Sequence, residues 1–301
     1  MTRVPGADAW SEWRPLAGVG PLTSDVLAET VDGGQAFRWQ RLPDQGWLGL
    51  WSDQVVRLRQ DDNGNVAWCG RAGRETATAS ALRIYFGADR DFAALTDSLP
   101  WRSDPHLAAC LAAFPGLRIL RQPFGETLLG FLCSATKQIV QIKQMLALLA
   151  ERHGAPVSAA ATSPWRRLPT WTELALIPES ALRACLLGFR ARYIAETAQF
   201  LAANPGWLEA TEQAPYPLAK ERLCSLPGVG EKVADCVLLF GAGRLEAFPV
   251  DVWILKTLAR RYGLNGWKPA QLAQFGRAHF GPLAGLAQQY LFAWERKHGG
   301  R

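Results

Sequence analysis

The sequence is poor in metal ligands. Its 301 residues include four histidines and six cysteines, and no two cysteines form a C-x-x-C pair. The histidines stand in no metal-binding spacing, so no catalytic metal is expected. Cys69, Cys110, Cys133, Cys185, Cys224 and Cys236 lie mostly in apolar surroundings and read as reduced, buried thiols. None follows Asp251, which excludes a four-cysteine iron–sulfur cluster in the C-terminal region. No cofactor is expected. Apolar runs never approach the roughly 20 residues of a membrane span. The opening "MTRVPGADAWSEW" lacks a signal peptide's apolar centre. The expectation is a soluble, intracellular protein with no membrane partner.

Low-complexity tracts and repeats of fixed period are also missing. With 49% apolar residues the chain is built to fold, and it is long enough for two or three packed units. The net charge of +6 is moderate. Basic residues gather in "RILRQ", "WRRLP", "GFRARY" and "LARRY", a distribution suited to a polyanion. Thirteen tryptophans are many. Most belong to a core, and an exposed few could stack on bases.

From Gly33 to about Cys69, "QAFRWQ", "WLGLW", "QVVRLRQ" and "NVAWCG" are short, partly alternating runs. Turn-rich "LPDQG" and "DDNGN" separate them, which predicts a small antiparallel sheet. "ETATASALRIYFG" reads as a helix ended by Gly87. Beyond about Pro100, helical periodicity dominates. Gly125–Gly154 reads as helical throughout, "TWTELALIPESALRACLLG" as two helices with a corner at Pro178, and Gly188 as a C-cap before a basic restart.

"KERLCSLPGVG" ends a helix at Pro227, and Gly228 and Gly230 permit a tight hairpin with positive φ. "EKVADCVLLFGAG" begins the next helix. Glycines leave hairpin amides uncovered at a helix N-terminus, where Gly228, Val229 and Gly230 could bind a phosphate oxygen without reading sequence. The same pattern also makes ordinary turns. Lys232 sits in the first turn of that helix, against the helix dipole. This placement favours a neutral, nucleophilic amine over a cation, although a solvated lysine or a phosphate contact fits the bare sequence too. In "FPVDVWILKTLARRYG", Asp251 precedes an amphipathic helix and reads as its N-cap. A capping carboxylate is rigidly held and can face a developing cation.

"LPGVGEKVADC" followed by "FPVDVW" resembles the helix–hairpin–helix DNA glycosylases, which carry a Gly/Pro-rich loop and a catalytic aspartate. "GGQAFRW" (33–39), "GFRARY" (188–193) and "LAQQYLF" (286–292) resemble the 8-oxoguanine DNA glycosylase/AP lyase branch. The likeness runs from about Gly33 to Phe292. It implies an α+β fold: an N-terminal tail (1–13), a small antiparallel sheet domain (14–112) and a larger all-helical helix–hairpin–helix body (113–301).

The resemblance makes Lys232 the nucleophile that attacks C1′ and forms a Schiff base. The iminium acidifies the C2′–H, and β-elimination cuts the strand. Asp251 then stabilises the sugar cation and helps keep the amine neutral. The target nucleotide must be flipped out of the duplex to be reached. Gly34 matches the glycine whose carbonyl accepts the N7 hydrogen of 8-oxoguanine, where guanine has a lone pair. Cys236 and Phe292 match residues that sandwich the flipped base, and Gln288 one that bonds its Watson–Crick edge. Arg190 matches the arginine that meets the cytosine opposite the lesion, a task suited to its planar fork. The implied partner is double-stranded DNA containing an oxidised purine, bound by a monomer. The implied compartment is cytoplasm or nucleoid in a bacterium and nucleus in a eukaryote.

The chain departs from the family at "CSATKQI". Thr136, Lys137 and Gln138 replace an asparagine run, and Gln141 stands where an arginine is expected. Lys137 or Gln138 is then the candidate to fill the gap left by the flipped base. Trp253 replaces a histidine. Competing readings are a monofunctional alkylated-purine (3-methyladenine-type) glycosylase, whose branch generally lacks a lysine at this position, and a non-catalytic lesion-binding protein. The iron–sulfur branches need cysteines this chain lacks.

Overall fold

The structure, a computed structural model, describes residues 9–157 and 163–299. Most of the expected N-terminal tail, residues 1–8, lies outside the described residues. The rest joins the sheet: Trp10 bridges Arg71, and the Ser11 amide donates to the Gly70 carbonyl at 2.8 Å.

Five antiparallel strands form one sheet. In spatial order they are β1 (Arg14–Pro15), β5 (Val66–Gly70), β4 (Gln54–Gln60), β3 (Trp47–Trp51) and β2 (Trp39–Arg41). Turn chemistry sets the register. Trp51 pairs with Gln54 across a two-residue turn in which Ser52 takes φ +46°. Asp61 closes the next connection by accepting from the amides of Asn63 and Asn65, both at 2.9 Å. Trp39 is 1% exposed and donates its indole N–H to the Tyr85 hydroxyl at 2.9 Å. Its cross-strand partner is Gly49, where a Cβ would fall 2.5 Å from the indole ring. Glycine is what lets that ring lie flat on the sheet.

The strand expected in "QAFRWQ" begins only at Trp39. Before it the backbone turns inward with Gln35, which is fully buried. The Gln35 side chain donates to the Arg118 carbonyl at 2.8 Å and accepts from the Leu120 amide at 2.9 Å. A helix, α1 (Ser24–Asp32), precedes this loop and is capped by Thr23. Neither it nor β1 was anticipated from the pattern. Helix α2 (Glu75–Tyr85) stands where expected and gives way to Gly87 at φ +56°. Helices α3 (Phe92–Asp97) and α4 (Pro105–Ala113) follow. The expected division at 112/113 falls in the last turn of α4, and one continuous set of buried side chains runs from Leu16 to Ala293.

The helical body corrects the sequence at one place that matters. Gly125–Gly154 is not one helix but two, α5 (Phe124–Leu132) and α6 (Ile139–His153). Between them Thr136 takes φ +56°, and the Ser134 hydroxyl donates to the Phe131 carbonyl at 2.7 Å. Gln141 then turns back and accepts from the Gln138 amide at 3.1 Å, so it starts α6. The corner at Pro178 separates α7 (Trp171–Leu174) from α8 (Glu179–Leu182), as its ring requires. A wide turn over 183–187 ends at Gly188, φ +57°, before α9 (Arg190–Ala203). The remaining helices are α10 (Trp207–Gln213), α11 (Tyr216–Cys224), α12 (Glu231–Phe240), α13 (Val252–Tyr262), α14 (Pro269–Phe280) and α15 (Ala284–His298).

Helix α15 is buried on all sides from Ala284 to Leu291. It admits α12 at Gly285, where a Cβ would stand 2.4 Å from Leu239. Five of the six cysteines are buried, Cys224 is partly exposed, and none is paired. Among the described residues no helix is long and apolar enough to cross a membrane.

Candidate active site

The hairpin joins α11 to α12. Gly228 adopts φ +76° and packs beneath Tyr193 of α9, with a hypothetical Cβ only 2.5 Å from the ring. Gly230 does not take the positive φ expected of it. It is extended (φ −93°, ψ 178°) because it serves as N-cap of α12. Val229 corrects the expectation too. Its side chain is 6% exposed and its amide donates to the Leu226 carbonyl at 3.2 Å, so it anchors the hairpin rather than facing out. The amides of Gly228 and Gly230 have no protein acceptor among the described residues.

A buried aspartate ties the two hairpin helices. Asp235, 1% exposed on α12, accepts from the Tyr216 hydroxyl at 2.6 Å and the Lys220 ammonium at 3.1 Å, both on α11. Burial raises its carboxyl above the ordinary value, and Lys220 partly offsets this. The sequence offered no cue that this residue, rather than any apolar one, holds the hairpin shut.

Lys232 emerges half-buried from the first turn of α12. Its Nζ reaches the Ser134 Oγ at 3.4 Å and lies 5.3 Å from the centroid of the Phe131 ring. Phe131 is fixed in turn by stacking on Phe240 and meeting Phe37 edge-on. Asp251 caps α13 as expected. Its Oδ1 accepts from the amides of Trp253 and Ile254 at 3.0 and 2.9 Å. Burial nevertheless raises the Asp251 carboxyl above its usual range. The Ile254 amide, the charge of Lys232 and the Trp253 amide only partly pull it back. Lys232 also opposes the effect of burial on Cys236, whose thiol is pushed up to about 12. Cys236 therefore stays a neutral thiol. The fold thus brings Lys232, Asp251 and Cys236 into one electrostatic neighbourhood.

The remaining candidate pocket residues come from distant parts of the chain. Gly34, at φ +105°, faces Phe292 of α15 and Ile139 of α6. A Cβ there would lie 3.2 Å from Ile139 and 3.6 Å from the Phe292 ring. Gln288 is 4% exposed, and its Oε1 is buried without a hydrogen-bond partner. Such an acceptor costs stability unless something donates to it.

The segment 134–139 connects the parts. Ser134 meets Lys232, Ala135 and Thr136 accept from Arg190, and Ile139 meets Gly34. Arg190 is accordingly not solvent-facing. It is 2% exposed, donates to the Ala135 carbonyl and to the Thr136 hydroxyl (3.0 Å), and stacks 4.3 Å from Phe189. A cytosine contact by Arg190 would have to exchange these bonds. Phe189, by contrast, is 50% exposed, an aromatic ring at the mouth of this region that the sequence reading passed over. Ser134, Phe131 and Ile139 were also missed, since nothing in their local pattern distinguishes them from core. Lys137 is half-buried, and Gln138 is exposed at the start of α6.

A lysine in the first turn after a glycine hairpin, with a capping aspartate in its field, is the arrangement of a helix–hairpin–helix DNA glycosylase. Comparison with known proteins refines the class. The family profile for "8-oxoguanine DNA glycosylase, N-terminal domain" matches residues 22–128. N-glycosylase/DNA lyase OGG1 of Arabidopsis thaliana is 30% identical over 286 residues, covering 91% of this chain and 78% of that protein. The N-glycosylase/DNA lyase of Saccharomyces cerevisiae is 32% identical, covering 80% and 69%. The 8-oxoguanine glycosylase/lyase of Clostridium acetobutylicum, solved with double-stranded DNA containing cytosine opposite 8-oxoG, superposes with a TM-score of 0.83 at 30% identity, covering 91% of this chain and 92% of that one. The chain belongs to this N-glycosylase/DNA lyase family, a family of bifunctional DNA-repair enzymes.

Proposed function

We propose that this protein excises 8-oxoguanine from duplex DNA and then cuts the strand, with Lys232 as nucleophile and Asp251 as its electrostatic partner. The observation that carries the reading is the charge of Lys232 acting on the capping Asp251 carboxyl, with the Lys232 Nζ against Ser134 of the segment whose Ile139 faces Gly34. The Lys232 amine attacks C1′ as the C1′–N9 bond breaks, and the proton it sheds on becoming a secondary amine goes to the departing base. Positive charge that develops on the sugar is balanced by the Asp251 carboxylate, held in place by two amides. The secondary amine becomes an iminium when the sugar ring opens. Loss of the C2′ proton then expels the 3′ phosphate, and water releases the enzyme.

The base has to leave the stack to reach Lys232. Gly34 supplies a carbonyl without a side chain to block approach. Phe292 and the neutral Cys236 offer apolar faces, and the unpartnered Gln288 Oε1 offers an acceptor to a base N–H. Gly228 and Gly230 present amides to a phosphate, and exposed Phe189 offers a ring to the opened duplex. A single chain carries every group named, so the reading is of a monomer.

The test is borohydride trapping on an end-labelled duplex with one 8-oxoguanine opposite cytosine. Borohydride reduces an iminium to a stable amine. A covalent adduct that disappears in Lys232→Ala, with DNA binding kept, is the expected result. An adduct on an abasic duplex alone would keep the lysine chemistry and remove 8-oxoguanine as substrate. No adduct on either would leave Lys232 as a DNA contact and overturn the proposal.

A further inference from the structure

We propose that Glu29 and Arg296 are positioning residues for base recognition, clamping the Gly33–Gly34 backbone against the Phe292 wall of the pocket. The inference rests on the role given to Gly34 above. The two residues come from opposite ends of the chain, Glu29 from α1 and Arg296 from α15, one turn beyond Phe292. Arg296 performs two tasks with one planar fork. One Nη lies 2.7 Å from Glu29 Oε2, and the other donates to the Gly33 carbonyl at 2.8 Å. The guanidinium also stands 5.7 Å from the centroid of the Phe292 ring. A single group thus sets the distance between the loop that supplies Gly34 and the aromatic wall facing it.

The loop is held just as closely from the other side. A Cβ on Gly33 would fall 2.1 Å from the Glu29 carbonyl oxygen and 2.4 Å from its Oε1, so Gly33 packs directly on Glu29. Gly34 has Phe292 and Ile139 at van der Waals range. Glu29 is 7% exposed, which shields the pair from salt and makes loss of either partner costly. Its second oxygen, Oε1, is buried without a partner, so Arg296 carries the whole task of holding this carboxylate. Neither side chain belongs to the hairpin or to the Lys232–Asp251 pair, and nothing in the sequence linked positions 29 and 296.

The charge environment gives a readout that a purely structural role would not move. Burial raises the Glu29 carboxyl to about 7, against the pull of Arg296. Asp32 on the same helix adds to the rise and is itself paired with Lys143 of α6 at 2.7 Å. Lys297 of α15 opposes it and is paired with Asp25 at 2.6 Å. The Glu29–Arg296 ion pair therefore strengthens as pH rises through about 7. Base excision depends on the loop, whereas strand cleavage at a preformed abasic site does not.

The experiment measures single-turnover rates on two duplexes, 8-oxoguanine opposite cytosine and an abasic site opposite cytosine, from pH 6 to 8.5. Arg296→Met is expected to slow excision at least about tenfold while leaving abasic cleavage within about twofold of the parent. The ratio of excision to cleavage is expected to rise through about pH 7 in the parent and to lose that rise in Glu29→Gln, which keeps the shape of the side chain. Equal slowing of both reactions in Arg296→Met, together with an unchanged pH profile in Glu29→Gln, would overturn the proposal. So would unchanged excision in both variants. A parent that cleaves the abasic duplex but leaves 8-oxoguanine in place would instead refute the reading of Gly34, and this inference with it.

Discussion

Arg190 and Thr136 are joined by a 3.0 Å hydrogen bond across two segments more than fifty residues apart in sequence. The same guanidinium holds the Ala135 carbonyl. Arg190 thereby fixes a turn in which Thr136, a β-branched residue, adopts φ +56°. Such a conformation costs on the order of 1–2 kcal/mol and persists only where neighbours hold it. Arg190→Ala removes the holder and leaves the Ala135 carbonyl unpaired. We expect it to destabilise the protein by about 1–3 kcal/mol in urea titration. An arginine that merely awaited DNA from solvent would cost nothing there, so unchanged stability would refute this account.

The same turn bears on the base opposite the lesion. Thr136, Lys137 and Gln138 stand where the family's asparagine run would be, and Gln141 is spent on the Gln138 amide as a cap. Arg190, the residue matched to the arginine that meets cytosine, is already engaged. Excision opposite C, A, G and T is therefore expected to differ by less than about a hundredfold, nearly 3 kcal/mol. Parallel single-turnover assays check this, and a larger preference for cytosine would contradict it.

The sequence disclosed what is local and left hidden what is distant. The hairpin, the Asp251 cap, the Pro178 corner and the Gly188 stop each depend on one or two residues with special backbone or capping chemistry. They could be read directly. The break between α5 and α6 could not, because Ser-Ala-Thr-Lys-Gln carries no glycine or proline, and tertiary bonds from Arg190, with the local Ser134 bond to Phe131, hold it. Charge clusters were poor guides for a related reason. Arg118 is buried on the carbonyls of Phe86 and Gly87, Arg167 pairs with Glu173, and Arg260 pairs with Glu295. Several of these basic residues are spent on partners within the protein. The roles of Ser134, Asp235 and Arg296 rest on partners that only the fold brings near.

The two hairpin glycines should behave differently when given a side chain. At Gly228, φ is +76° and a Cβ would sit 2.5 Å from the Tyr193 ring. At Gly230 the backbone is extended and a Cβ meets nothing within 4 Å. Gly228→Ala is expected to lower stability by at least about 1–2 kcal/mol from the left-handed backbone alone. Gly230→Ala is expected to leave the melting temperature nearly unchanged while weakening DNA binding, since a methyl in that open space would crowd a phosphate brought to the uncovered amides. Equal thermal effects of the two substitutions would show that the hairpin geometry has been misread.

Asp251→Asn separates the cap from the charge. Asparagine is as good an N-cap as aspartate, so the start of α13 should survive. The charge is another matter, because burial holds the Asp251 carboxyl above its ordinary value despite the Ile254 amide, the Lys232 charge and the Trp253 amide. An acid whose value is raised on folding favours the fold while protonated. That advantage is complete below its unfolded value near 4 and is lost as pH rises through the folded value. The ionised side chain is thus a burden that asparagine does not carry. Asp251→Asn is expected to melt above the parent at pH 7.5, with the gap closing toward pH 4, while excision falls at least about a hundredfold for want of a charge facing the sugar cation. A variant that melts below the parent at pH 7.5 would mean that the carboxylate is held there for stability. A variant that excises normally would remove Asp251 from the chemistry. The joint outcome, more stable and inactive, is what a charge kept for catalysis against the preference of the fold requires.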